Sequence, residues 1–125
     1  MSKITQKNVL DKKLELCSNS PLTGFFRDGC CRSSSGDHGQ HYICASVTKE
    51  FLNFSLKKGN DLITPRPEFN FPGLKDRDRW CICTDRWIEA FENSCAPNII
   101  LSATNVIVKK KINIEILKKF ALDIN

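Results

Sequence analysis

Apolar positions along the chain change their spacing several times, and each change marks an element. Residues 41–47 (HYICASV) are β-prone and predict a strand. A helical stripe follows at Phe51, Leu52, Ser55 and Leu56. Thr48 stands where its N-cap belongs and Gly59 just past its end, with Val47 and Leu52 at the hydrophobic-staple positions. Residues 60–77 then hold Pro65, Pro67 and Pro72, which argue against a helix and keep Thr64, Arg66 and Phe71 extended. Pro72-Gly73 suits the centre of a type II turn.

Residues 79–83 predict a second strand. In the helix expected after it, Thr84 or Asp85 is the cap, Trp87, Ile88, Phe91 and Cys95 share a face, and Pro97 is the stop. Residues 98–103 predict a third strand and 106–109 a fourth, while Asn113 caps a last helix carrying Ile114, Leu117 and Ala121. The first 22 residues are irregular, with a turn at Ser18, Asn19, Ser20 and Pro21. Few strands alternating with helices point to an α+β fold. The expectation is a single two-layer domain over residues 1–125, with a small mixed or antiparallel sheet, about three helices and a long proline-rich loop.

Composition narrows the function classes. A chain of 125 residues can bury about two thirds of the surface its unfolded form exposes, so an ordinary core suffices. No apolar run approaches the roughly 18 residues of a membrane span, and MSKITQKNVLDKK lacks a signal-peptide core. Both features lead us to expect a cytoplasmic protein without a membrane partner. The net charge of +5 resides at the ends: residues 1–20 carry +2, residues 105–125 carry +3, and the middle is neutral. A nucleic-acid face needs a basic stripe on the folded body, so nucleic acid is not an expected partner.

Seven cysteines (17, 30, 31, 44, 81, 83 and 95) change the picture more. The odd count without a secretion signal favours reduced thiols, and no C-x2-C pair occurs. On a strand Cys81 and Cys83 face one way and Trp80 and Ile82 the other, with the two thiols about 7 Å apart and unable to bond each other. Buried packing is the favoured reading of these thiols, with no cofactor expected. The alternative is zinc, drawing four ligands from Cys30, His41, Cys44, Cys81 and Cys83. A cysteine nucleophile would need a cation or imidazole beside it, and Arg27, Arg32, Arg79 and His41 are the available groups.

Two segments stand apart from any packing period: TGFFRDGCC (residues 23–31) and GNDLITPRPEFNFPGLKDRDRWCIC (residues 59–83). They mix glycine, proline, aromatics and paired charges, as binding loops do. Arginine suits a bidentate carboxylate or phosphate contact. The candidate ligand-binding set is Arg27, Asp28, Asn60, Asp61, Thr64, Arg66, Glu68, Arg79 and Trp80, around a small, anionic molecule. A third alternative is an interaction module anchored by Phe69, Phe71 and Trp80. No motif assigns a reaction, so enzyme activity stays open. His38, in the glycine loop SGDHGQ, is expected to be simply exposed.

The stretches TGFFRDGCC, GNDLITPRPEF, FPGL, DRWCIC and RWIEA, in this order, make the chain resemble the bacterial family known as domain of unknown function 2237, over a core of about residues 8–121. The resemblance implies an α+β fold and a stand-alone bacterial protein, and supplies no substrate. Three positions depart from the family pattern: Asp76-Arg77 replaces a Pro-Gly turn, Ile63 a small polar residue, and Asn105 a frequent histidine. The last departure puts in doubt any mechanism that relies on a histidine at that position.

Overall fold

The computed structural model describes residues 6–123. The expectation drawn from the N-terminal sequence falls partly on residues 1–5, outside the described part. Three strands, β1 (His41–Ser46), β2 (Arg79–Cys83) and β3 (Asn98–Ile99), form one antiparallel sheet in the order β2-β1-β3. Three α-helices accompany it: α1 (Lys49–Lys57), α2 (Thr84–Glu92) and α3 (Ile114–Lys119). The fold is a small α+β arrangement with an antiparallel sheet, as the sequence predicts. Among the described residues, no helix is long and apolar enough to cross a membrane.

Local signals set the helix boundaries. Thr48 accepts a hydrogen bond from Phe51 N at 3.0 Å, Val47 and Leu52 are buried beneath that cap, and Gly59 follows the C-cap Lys58 with φ +88°. Asn113 caps α3 through Glu115 N at 2.8 Å. At α2 the N-cap is Cys83, and Thr84 is already helical because its N–H and hydroxyl both donate to the Gln40 carbonyl.

Two strand expectations are corrected. The third strand ends at Ile99, and residues 101–103 form a 3-10 turn. The fourth does not form: Val106–Lys110 is a 3-10 helix that starts where the buried Asn105 side chain accepts from Ile107 N at 3.0 Å. A local side-chain cap outweighs the β-propensity of Val-Ile-Val there. The proline-rich stretch likewise holds one short 3-10 turn, Pro67–Phe69, because proline is well placed at the first position of a helical turn. Arg66 and Phe71 bridge across it.

Strand alternation gives the sheet two cores of different chemistry. Ile43, Ala45, Trp80 and Ile82 join the main apolar core with Phe51, Trp87 and Leu117. Cys44 and Cys81, partners across β1 and β2, instead join a small cluster with Cys17, Cys31, Ile100 and Ala103. Irregular chain rather than helix supplies Cys17 and Cys31 to this second cluster.

Candidate functional site

The segments 23–31 and 59–83 meet in space. Together they line a cleft of about 330 Å³. Gly24, Phe25 and Arg27 come from the first; Asp61, Arg66, Phe71 and Trp80 from the second. His41, at the head of β1, completes the wall, and Cys81 is also part of the lining.

Each wall is held by identifiable geometry. At Gly24 φ is +96°, and a Cβ would strike the Cys30 carbonyl, so the turn needs glycine. Arg27 also has positive φ, +53°, and its guanidinium donates to the Gly24 carbonyl at 2.6 Å while lying 5.2 Å from the centre of the Trp80 ring. Thr23 is fully buried, and its hydroxyl accepts from Cys81 N at 2.9 Å, tying the turn to β2. On the other side, Gly73 at φ +79° brings its backbone against Ile63 and turns the chain back toward β2. Phe71 packs edge-on against Trp80 at 5.1 Å.

The charges in the cleft nearly balance. Arg27 and Arg66 are positive and exposed, and Asp61 is negative. Hydrogen bonds from the Thr64 side chain and backbone, then from Ile63 N, hold the Asp61 carboxyl below its ordinary 3.8, with Arg66 adding a smaller pull in the same direction. Arg27, Arg66 and Asp61 together leave one net positive charge.

His41 has a partner that sequence reasoning missed. The Asp37 carboxylate, its side chain 1% exposed, accepts from His41 N at 2.9 Å and contacts His41 Nδ1 at 2.7 Å. With Nδ1 engaged, Nε2 is the ring's free nitrogen and has no hydrogen-bond partner among the described residues. The separation Asp37-x3-His41 was the available signal, but in the loop SGDHGQ it carried no helical period.

The other candidates divide. Asn60 lines a smaller adjoining cleft of about 180 Å³, which shares His41 and Trp80 with the first and adds Arg86. Thr64 belongs to the Asp61 turn. Asp28 accepts from Cys30 N and pairs with Arg32 at 2.8 Å, outside the cleft lining. Glu68 and Arg79 are exposed and also outside it. Arg79 heads β2 opposite Ser46, so strand alternation carries it away from Trp80 despite their adjacency. Of the aromatic set, Phe69 is 68% exposed, whereas Trp80 is buried.

The expectation of reduced thiols is overturned at four positions. Cys17 is joined to Cys44 and Cys31 to Cys81, with Cα separations of 5.7 and 5.4 Å. An odd cysteine count excludes only complete pairing, and Cys30, Cys83 and Cys95 are the three left free. The two bonds are neighbours: the sulfurs of Cys17, Cys31 and Cys81 all lie within 4.8 Å of one another. Cys17 was absent from every candidate set, and only the strand register that puts Cys44 beside Cys81 reveals why it matters. Within the alternative zinc set, Cys44 and Cys81 belong to different disulfides, and Cys30 and Cys83 are free.

The family model for an uncharacterised protein conserved in bacteria, domain of unknown function 2237, matches residues 7–121. The chain belongs to this family. A search of curated proteins finds no match. Asn105 is buried and donates through Nδ2 to Gln6 Oε1 at 2.8 Å and to the Cys31 carbonyl at 3.2 Å. In this chain that position supports the loop carrying Cys31.

Proposed function

We propose that the protein binds a small monoanionic ligand in the cleft between the turn at residues 23–31 and the loop at residues 59–73. The observation that carries this reading is the convergence of Arg27 and Arg66, 39 positions apart in sequence, on one cleft walled by Trp80 and Phe71. Guanidinium groups beside an aromatic wall suit a carboxylate or similar oxyanion attached to an apolar body. The net charge of the wall favours one negative charge rather than two.

Benzoate and its neutral isostere benzamide test the reading. Benzoate should shift the Trp80 indole resonance in two-dimensional NMR at millimolar concentration, and benzamide should do so far less. Arg66→Ala, at an exposed position, should weaken benzoate binding by about tenfold, the worth of one well-placed charged hydrogen bond. Identical responses to the two compounds, or none from either up to about 10 mM, would remove the anion reading.

A second reading rests on the sulfur cluster. Once reduced, Cys17, Cys31, Cys44 and Cys81 would offer the four thiolates that tetrahedral zinc takes. Metal analysis of protein kept under a non-thiol reductant tests it, with one zinc per chain as the supporting result.

A further inference from the structure

We propose that the cleft's ligand is a 2-oxo acid with an apolar body, and that His41 Nε2 is the base that removes a proton from its C3. This deepens the anion-binding reading of the cleft and rests on it. Three local features fix the imidazole. The buried Asp37 carboxylate accepts from His41 N and meets Nδ1 at 2.7 Å, so the neutral ring keeps its proton there and presents a lone pair at Nε2. His41 lines the cleft and Asp37 does not, and the imidazole side chain is 42% exposed, so the ring edge away from Asp37 is the one a ligand meets. Gly39 sits at the Cε1 corner of the ring, where a Cβ would come within 2.7 Å; the imidazole takes this position because residue 39 has no side chain. Gln40, directly before it, has φ +49°, uncommon for a residue with a side chain. Its carbonyl holds that conformation by accepting from Tyr42 N, Thr84 N and the Thr84 hydroxyl. Such outliers cluster at reactive positions.

The rest of the wall selects the substrate class. At about 330 Å³ the cleft is near the lower end for small-molecule sites, so a ligand there meets most of the lining at once. A 2-oxo acid offers Arg27 and Arg66 a carboxylate and an adjacent carbonyl oxygen, and its side chain suits the wall of Trp80 and Phe71. The carbonyl acidifies the C3 protons, which makes them accessible to a nitrogen base. The step balances without any co-reactant. His41 Nε2 takes one C3 proton, the C3–H electron pair becomes the C2–C3 double bond, and the carbonyl π pair moves onto oxygen. Guanidinium charge stabilises the enolate as it forms. The imidazolium returns a proton to the enolate oxygen, giving the enol, or to C3, restoring the keto acid. The net reaction is keto–enol interconversion.

The test follows loss of the C3 proton signals of phenylpyruvate by NMR in deuterium oxide, with the full chain or with free imidazole at the same concentration. Exchange should be at least about a hundredfold faster with the protein, the lower bound for a positioned base. Phenylacetone, the same ketone without the carboxylate, should gain no such advantage over imidazole. His41→Gln should abolish the advantage while still binding 3-phenylpropionate, which has the same body and charge but no acidified protons. Arg66→Ala should raise KM for phenylpyruvate about tenfold with a smaller change in kcat, as loss of an anchoring charge does. Exchange no faster than with imidazole, an equal advantage for phenylacetone, or a His41→Gln protein that exchanges at the parent rate would overturn the proposal. Binding of 3-phenylpropionate, read at the Trp80 indole, separates the two readings. If it binds while phenylpyruvate keeps its protons, proton transfer fails and anion binding stands; if it does not bind and no exchange occurs, both fall.

Discussion

Thr23 and Arg79 show how differently two conspicuous polar residues of these segments behave. Thr23 is fully buried and its hydroxyl is the partner of Cys81 N, whereas Arg79 is exposed at a strand end. Thr23→Val keeps the shape but leaves a buried N–H without an acceptor, so a loss of about 1–3 kcal/mol is expected by urea denaturation. Arg79→Ala should stay within about 0.5 kcal/mol, as surface changes do. If the two variants unfold at the same urea concentration, the Thr23 bond contributes nothing. From sequence alone the arginines beside Phe26 and Trp80 read as partly buried and hydrogen-bonded; Arg27 and Arg79 are both exposed, although Arg27 does donate to the Gly24 carbonyl. On β2 adjacency to Trp80 does not bury Arg79, because neighbours on a strand face opposite ways, while Phe26 and Arg27 lie together in an exposed turn. The free thiols are also distinct: burial first, then Asp28, pushes Cys30 above its ordinary 9.0, with Arg32 opposing. Burial, then Glu50 and Glu89, does the same for Cys95. Both should therefore resist iodoacetamide in the native state at neutral pH and react on unfolding, as read by intact mass.

Elements were legible where their signals are local. The Thr48 cap, the Gly59 stop and the Asn113 cap each lie within a few residues of what they control, and α1 and α3 formed accordingly. Where distant groups decide, the pattern misled. The expected third strand stops at Ile99 because Asp123 reaches back across the chain and accepts from Leu101 N at 2.8 Å and Ser102 N at 2.9 Å, closing a 3-10 turn. Burial pushes the Asp123 carboxyl up, but these bonds, led by Ser102, outweigh it and set it below its ordinary 3.8. A depressed carboxyl stabilises the fold above its unfolded value and loses that contribution as pH falls through the folded one. Asp123→Ala should thus cost about 0.5–1 kcal/mol at neutral pH, the low end for a cap that is partly solvated. The difference from the parent should shrink below about pH 4 in acid-titrated denaturation curves. A deficit that is constant from pH 7 to 2 would mean the carboxylate charge plays no part.

At the scale of the whole molecule, segments with little regular structure of their own are fastened to a small sheet by two sulfur bridges. The bridges close sequence separations of 27 and 50 residues, from irregular chain to β1 and β2 respectively. The cleft inherits this dependence: its first wall, residues 23–27, lies between Cys17 and Cys31, both bonded to the sheet. The sequence showed which segments converge but not what fixes them, since cysteine pairing depends on strand register and parity alone cannot supply it. Loop closure of these lengths is worth about 3–4 kcal/mol per bridge in the chain-entropy account, with less than the sum when both are present. Reduction under a phosphine should therefore lower the midpoint of urea unfolding substantially, by more than any single surface substitution. It should also weaken benzoate binding, because the turn carrying Arg27 loses its anchor while the loop carrying Arg66 does not. Cys17→Ala/Cys44→Ala, which keeps Cys31–Cys81, separates the effects: stability should fall by up to about 3–4 kcal/mol, while benzoate affinity changes less than on full reduction. If full reduction leaves both the urea midpoint and benzoate affinity unchanged, the bridges do not hold the cleft, and the Thr23 bond to β2 with the surrounding packing is sufficient.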